Sequence, residues 1–169
     1  YGFTEAGELV PPAGHGEEDI LREARRQAVI PVLVLTPLGA DGRFNNNLVA
    51  VLVRDLEIQQ KLIRELWTVV QEKGYGEVDV DFEYVLAEDR ELYADFVRRL
   101  RIIMNLFGIR VTVALAPKTS REQRGLLYEG SDYRALGEAA NGVLLMTYEW
   151  GYTYGPPMAV APINMVRRV

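Results

Sequence analysis

Apolar positions along this chain switch repeatedly between a helical spacing and a strand-like spacing, and the switches fall at turn residues. Residues 17–29 place Ile20, Leu21, Ala24 and Ala28 at helical spacing. Pro31 to Thr36 then holds a continuous apolar run, Val32-Leu33-Val34-Leu35, which predicts a short strand buried on both faces. Asn47 is the expected N-cap of a helical stretch that restarts near Asp55 and runs to Gly74, with Leu62, Ile63, Leu66, Val69 and Val70 as its core stripe. A strand is expected over residues 77–85. Asp89 should cap a helix through Phe107, with Leu92, Phe96, Leu100 and Ile103 inward and Gly108 as terminator. Arg110 to Ala116 reads as a strand in which the small Thr112, Ala114 and Ala116 alternate with Val111, Val113 and Leu115. A short helix follows Asp132, and Asn141-Gly142 turns into a strand from Val143 to Tyr148. From Glu149 onward the chain is rich in aromatics, glycine and proline.

Within this pattern the octad Gly76-Glu77-Val78-Asp79-Val80-Asp81-Phe82-Glu83 carries the most chemistry. Successive side chains of a strand point to opposite faces, so Val78, Val80 and Phe82 share one face and Asp79, Asp81 and Glu83 the other. Like charges this close resist joint ionisation, which pushes at least one carboxyl toward its protonated form. A carboxyl protonated near neutral pH is what a general acid needs. The residues alone leave two other readings open: an acidic strand face turned to water, and a site for a hard cation.

Strands alternating with helices through short connectors form right-handed parallel units. Both a doubly wound sheet and part of an eight-stranded barrel fit. Three carboxylates in a row would be hard to satisfy under the helices of a doubly wound sheet, whereas a barrel's interior rim holds polar groups. The expected class is therefore α/β, a parallel (β/α) barrel of TIM type. With four strands and a fifth at the amino end, it corresponds to about strands two to six of eight, as a single partial domain over residues 1–169.

Composition narrows the chemistry. The 169 residues are 49% hydrophobic, enough for one domain with a real core. A net charge of −5 argues against nucleic-acid binding, since phosphate contacts need concentrated Lys and Arg. Arg98, Arg99 and Arg101 read as a solvated helix face. The absence of cysteine excludes disulfides, thiolate ligands and cysteine nucleophiles. The one histidine, His15, sits in a Gly/Pro-rich stretch and makes an ordinary zinc site unlikely, so neither metal nor cofactor is expected. No apolar run reaches membrane-spanning length, and the first residues carry no signal-peptide pattern.

At Asp79, Asp81 and Glu83, and again at Met146-Thr147-Tyr148, the chain resembles glycoside hydrolase family 18, the chitinase-like barrels that cleave bonds beside N-acetylglucosamine. The family's fourth-strand signature is Asp-Gly-x-Asp-x-Asp-x-Glu; here Gly76-Glu77 stands where the family has Asp-Gly. The sixth-strand signature Met-x-Tyr-Asp appears as Met146-Thr147-Tyr148-Glu149, and the third-strand Ser-x-Gly-Gly only loosely, as Thr36-Pro37-Leu38-Gly39. Asp81 to Val85, Ala114 to Lys118 and Met146 to Pro162 are similar to the branch of bacterial spore-germination and cortex-lytic glycosylases.

The resemblance implies that Glu83 is the general acid and that the substrate's own acetamido oxygen is the nucleophile, an exception to the two-carboxylate scheme. It implies that Asp81 orients the acetamide, that Asp79 shares a proton with Asp81, and that Tyr148 donates a hydrogen bond to the acetamide. The small Ala114 and Ala116 would leave room for the sugar beside Met146 and Glu149. Trp150, Tyr152 and Phe3 are candidates for stacking faces. The implied partner is an N-acetylglucosamine-containing polysaccharide, peptidoglycan or chitin-like, and the implied location the bacterial spore or cell envelope, or outside the cell. The alternative is a glycan-binding fragment without turnover, since strands one, seven and eight are not read here. Unpaired sheet edges further predict a homodimer or larger assembly.

Overall fold

In a computed structural model of the chain, residues 1–14, 16–39, 42–148, 150–151 and 153–169 are described. Four parallel strands, β3 (Val32–Leu35), β4 (Glu77–Val80), β5 (Arg110–Leu115) and β6 (Gly142–Leu145), lie side by side in that order. The amino-terminal strand β1 (Gly2–Phe3) forms a small antiparallel pair with β2 (Leu9–Val10). It also flanks β3: the Tyr1 N–H donates to the Val34 carbonyl at 2.8 Å and the Thr36 N–H to the Tyr1 carbonyl at 2.8 Å. That bond pair is a parallel bridge between Tyr1 and Leu35, so the amino end touches the sheet edge through one residue, while β1 itself pairs only with β2.

Helices α1 (Glu17–Arg26), α2 (Asn46–Arg54), α3 (Leu56–Lys73), α4 (Arg90–Asn105) and α5 (Tyr133–Ala139) connect the strands, and a short α6 (Ile163–Val166) follows β6. The core lies between the helices and one face of the sheet. Leu33, Leu35, Val78, Val80, Val111 and Val113 from the strands meet Leu62, Leu66, Val70, Phe96, Val97 and Leu100 from α3 and α4, all at most 1% exposed. Helix α3 begins and ends as the sequence predicts. The Asp55 side chain accepts from the Glu57 and Ile58 N–H groups, and Gly74 stops the helix with a left-handed φ of 77°.

Several local expectations are corrected. The N-cap before α2 is Asn45, whose side chain accepts from the Asn47 N–H at 3.1 Å; Asn47 itself lies in the first turn. Asp89 occupies the N-cap position of α4 without bonding the helix amides; its buried carboxylate instead takes two bonds from the Arg54 guanidinium, at 2.7 and 2.9 Å. Leu92 is 40% exposed, and Tyr93, Ala94, Val97 and Met104 complete the buried stripe of α4. In α1 only Leu21 is buried; the helix ends at Arg26, leaving Ile20 exposed and Ala28 outside it.

The run Val32–Leu35 is buried on one face only. Leu33 and Leu35 enter the core, whereas Val32 and Val34 are 42% and 40% exposed. Continuous hydrophobicity suits the lining of a barrel as well as a sheet covered on both sides, and the described chain places nothing over the lining. The parallel sheet with its helices on one face is the wall of a TIM-type barrel, and the chain forms part of that barrel.

Candidate active site

The strand register fixes which residues share the open face. Val34 pairs with Asp79, Asp79 with Thr112, and Thr112 with Gly142. Ala114 pairs with Leu144 in the next row. Carried two residues further along the strand, the same parity sets Asp81 on the row of Ala114 and Leu144, and Glu83 follows it one step of two above. The bond from the Asp81 N–H to the Leu35 carbonyl (2.9 Å) and that from the Met146 N–H to the Leu115 carbonyl (3.0 Å) continue the ladder beyond the named strands. The carboxylates therefore rise in steps toward the C-terminal ends of the strands, the end of such barrels that carries the chemistry.

The alternation predicted for the octad holds. Val78, Val80 and Phe82 are at most 3% exposed on the helix side. The Phe82 ring packs against Phe3 (5.6 Å between centroids), Tyr93 (5.7 Å) and Phe96 (5.9 Å), an aromatic floor under the carboxylate strand. Asp79 is buried, and Asp81 and Glu83 are half-buried. The strand pairing ends at Val80, earlier than the expected 85. Tyr84, directly after Glu83, adopts a left-handed φ of 55°, which turns the chain out of the sheet. A tyrosine in that region costs about 1 kcal/mol or more, and such strain concentrates at functional positions.

Electrostatics follow from this stacking. Burial holds the Asp81 carboxyl above the ordinary aspartate range, and the charges of Glu83 and Asp79 add to the effect. Asp79 is also raised, first by burial and then by the charge of Glu77, while its hydrogen bond to Thr112 pulls it partly back. The Oδ1 atom of Asp81 is buried and accepts no hydrogen bond among the described residues. An unpaired buried acceptor costs free energy unless a donor reaches it.

The expected shared proton between Asp79 and Asp81 has no hydrogen bond to follow in this structure. Residues two apart on a strand are spaced by about 6.6 Å, farther than the neighbouring strand. Asp79 is accordingly tied sideways: the Thr112 Oγ1 lies 2.6 Å from its Oδ1 and 3.1 Å from the Glu77 Oε1. Glu77 in turn pairs with Arg110 at 3.4 Å. Reading the octad as three carboxylates missed this fourth one. The signal was its position, one more step of two below Asp79.

Ala116 and Met146 are half-buried on the same face, and Tyr148, 42% exposed, follows Met146 by two residues. The Tyr148 hydroxyl makes no hydrogen bond among the described residues. Trp150 is half-buried and folds back, its Nε1 donating to the Thr147 carbonyl at 3.1 Å. Phe3 is corrected as a stacking face: it is 1% exposed and belongs to the aromatic floor. Its parity explains this. Tyr1 bridges to Leu35, a helix-side residue, and Phe3, two residues on, shares that side. Glu149, Tyr152 and His15 lie outside the described residues.

A second feature the sequence did not reveal supports the loop after Glu83. Gly130 is packed so closely on Val85 that a Cβ there would overlap the Val85 carbonyl oxygen. Lys118, two residues beyond Ala116, donates to the carbonyls of Tyr128 (3.0 Å) and Ser131 (2.8 Å), which anchors the segment carrying Gly130.

No family model matches the chain. It is 44% identical over 126 residues to the cortical fragment-lytic enzyme of Bacillus subtilis (strain 168), a match covering 75% of the chain and 29% of that relative. Across the Bacillus cortical fragment-lytic enzymes it matches, the chain spans 29% to 34% of their length. The crystal structure of the Bacillus cereus spore cortex-lytic enzyme SleL superposes with a TM-score of 0.90 at 36% identity, covering 99% of the chain and 38% of that structure. A chitinase from Chromobacterium violaceum superposes at TM-score 0.89, covering 99% of the chain and 52% of that structure; its 20% identity speaks for the fold alone. The carboxylate ladder, the barrel wall and these likenesses agree: the chain is a segment of a chitinase-like barrel and belongs to glycoside hydrolase family 18, in the branch of the spore cortex-lytic enzymes.

Proposed function

We propose that this chain carries the catalytic half-site of a glycosidase acting on N-acetylglucosamine-containing glycan, the peptidoglycan of the spore cortex, by retaining, substrate-assisted catalysis. The observation that carries the reading is Asp81: a carboxyl between Asp79 and Glu83, with a buried acceptor atom that nothing in the described chain satisfies. An acetamide N–H on the sugar is a donor of the right kind.

Glu83, at the top of the ladder and without a hydrogen-bond partner among the described residues, protonates the glycosidic oxygen as the bond to C1 breaks. The substrate's acetamido oxygen attacks C1 and forms a cyclic, positively charged oxazolinium. Asp81 accepts the acetamide N–H and offsets that charge, which strengthens the interaction as the transition state is approached. Tyr148 donates its hydroxyl to the acetamide oxygen. The Glu83 carboxylate then takes a proton from water as it attacks C1, returning the acid to its starting state and retaining configuration. The small side chains of Ala114 and Ala116 keep the adjacent row low, and Met146, Trp150 and Glu149 are assigned to the sugar's surroundings. A site at the spore cortex follows from the same reading.

The assignment is tested by Glu83→Gln. Release of reducing ends from N-acetylglucosamine polymers should be abolished while oligosaccharide binding persists. Activity surviving the change removes Glu83 from this role. The second reading, a glycan binder without turnover, rests on the open lining at Val32 and Val34. It requires saturable binding and no reducing ends from the unaltered chain.

A further inference from the structure

The contact between Thr112 and two carboxylates poses a proton-counting problem. A hydroxyl carries one proton and can donate to one acceptor at a time. Yet the Thr112 Oγ1 stands within hydrogen-bonding distance of both Asp79 (2.6 Å) and Glu77 (3.1 Å). Both contacts are favourable together only if one carboxyl supplies a proton of its own. Glu77 has a cationic partner in Arg110 and its side chain is 17% exposed, so its negative charge is compensated. Asp79 is 7% exposed and has no cationic partner among the described residues.

We infer that Glu77 is a positioning residue: through the Thr112 hydroxyl it keeps the resting proton on Asp79 and leaves the ladder's negative charge on Asp81. The Asp79 O–H donates to Thr112 Oγ1, and the Thr112 O–H donates to the Glu77 carboxylate. The inference deepens the reading of Asp81 as the group that meets the acetamide, and rests on it for its catalytic meaning. Glu77 stands where the sequence signature has glycine.

The surroundings of Asp79 bear this out. Its own strand contributes Glu77, Asp81 and Glu83. Strand β5 contributes Thr112, with Arg110 one row below, and β3 contributes only Val34. From α4 the Tyr93 hydroxyl is held protonated first by its burial and then by the charges of Asp81 and Asp79. Glu77 is the charge that acts on Asp79 from below, in the same direction as burial.

The test is a carbon-detected NMR titration of the Asp79 carboxyl in the 169-residue chain, which needs no activity. Glu77→Gln should lower the Asp79 midpoint by about half a pH unit or more, because the negative charge is lost and the amide oxygen that remains is a weaker, neutral acceptor. In a Thr112→Val background the same change should have clearly less effect, while Thr112→Ser should restore it. An unmoved midpoint in Glu77→Gln overturns the inference. Equal shifts with and without the hydroxyl also overturn it, reducing Glu77 to a distant charge. Thermal melts of each variant verify that the fold is intact. Loss of activity in Glu83→Gln is independent of these outcomes, so the two readings fail separately.

Discussion

Phe82 stacks on Tyr93 with ring centroids 5.7 Å apart, and this contact holds the carboxylate strand by its back. The rings of Phe3 and Phe96 complete the packing. Because strand side chains alternate, a firm grip on Phe82 orients Asp81 and Glu83 on either side of it. Phe82→Ala should cost about 3–5 kcal/mol, the range for emptying a buried aromatic site. Phe82→Leu should cost less and preserve the face of the carboxylates. Urea unfolding measures both; a loss under 1 kcal/mol in the alanine variant would show that the aromatic floor does not hold the strand.

Asp81 makes stability fall with pH. Its folded midpoint, like that of Asp79, lies above the unfolded value. The folded chain therefore binds more protons between the two values. The stability from these groups is fully present below the unfolded midpoint and is lost as pH rises through the folded one. Asp81→Asn removes the ionisation and should stabilise the chain at pH 7, with a smaller gain at pH 4. Denaturation curves at the two pH values check this, and a variant destabilised at pH 7 would contradict it.

Gly130 should tolerate no side chain. Gly130→Ala is expected to cost about 2 kcal/mol, as overpacking against backbone does, because the Val85 carbonyl cannot yield without moving the turn after Glu83. A neutral melting temperature would show that the two segments part easily.

Much of this was legible in the sequence because the signals were local. The period-two alternation of the octad set the two faces of β4, and Asp55 and Gly74 marked the ends of α3. Where partners far along the chain decided the outcome, the sequence was silent. Phe3 reads as a free aromatic until its parity relative to Leu35 is known. Asp89 reads as a helix cap until Arg54 claims its carboxylate. Val32 and Val34 read as core because an apolar run does not reveal which face is covered. The Glu77–Thr112–Asp79 contact required the register between β4 and β5, which no spacing within either strand encodes.

The lining left uncovered also bears on association. Val32, Val34 and Leu144 are 42%, 40% and 51% exposed on the open face, beside the unpaired edge of β6. The 169-residue chain by itself should self-associate at micromolar concentration, as open edges and apolar faces promote. Light scattering coupled to size exclusion reads the mass directly; a stable monomer would contradict the expectation.

The proposed function turns on Glu83 as the proton donor and Asp81 as the group that receives the acetamide. It is tested by turnover and binding of an N-acetylglucosamine oligomer by the chain with Glu83 and with Glu83→Gln. Turnover should fall about 100-fold or more in Glu83→Gln with oligomer affinity retained. Turnover unchanged by Glu83→Gln would contradict it.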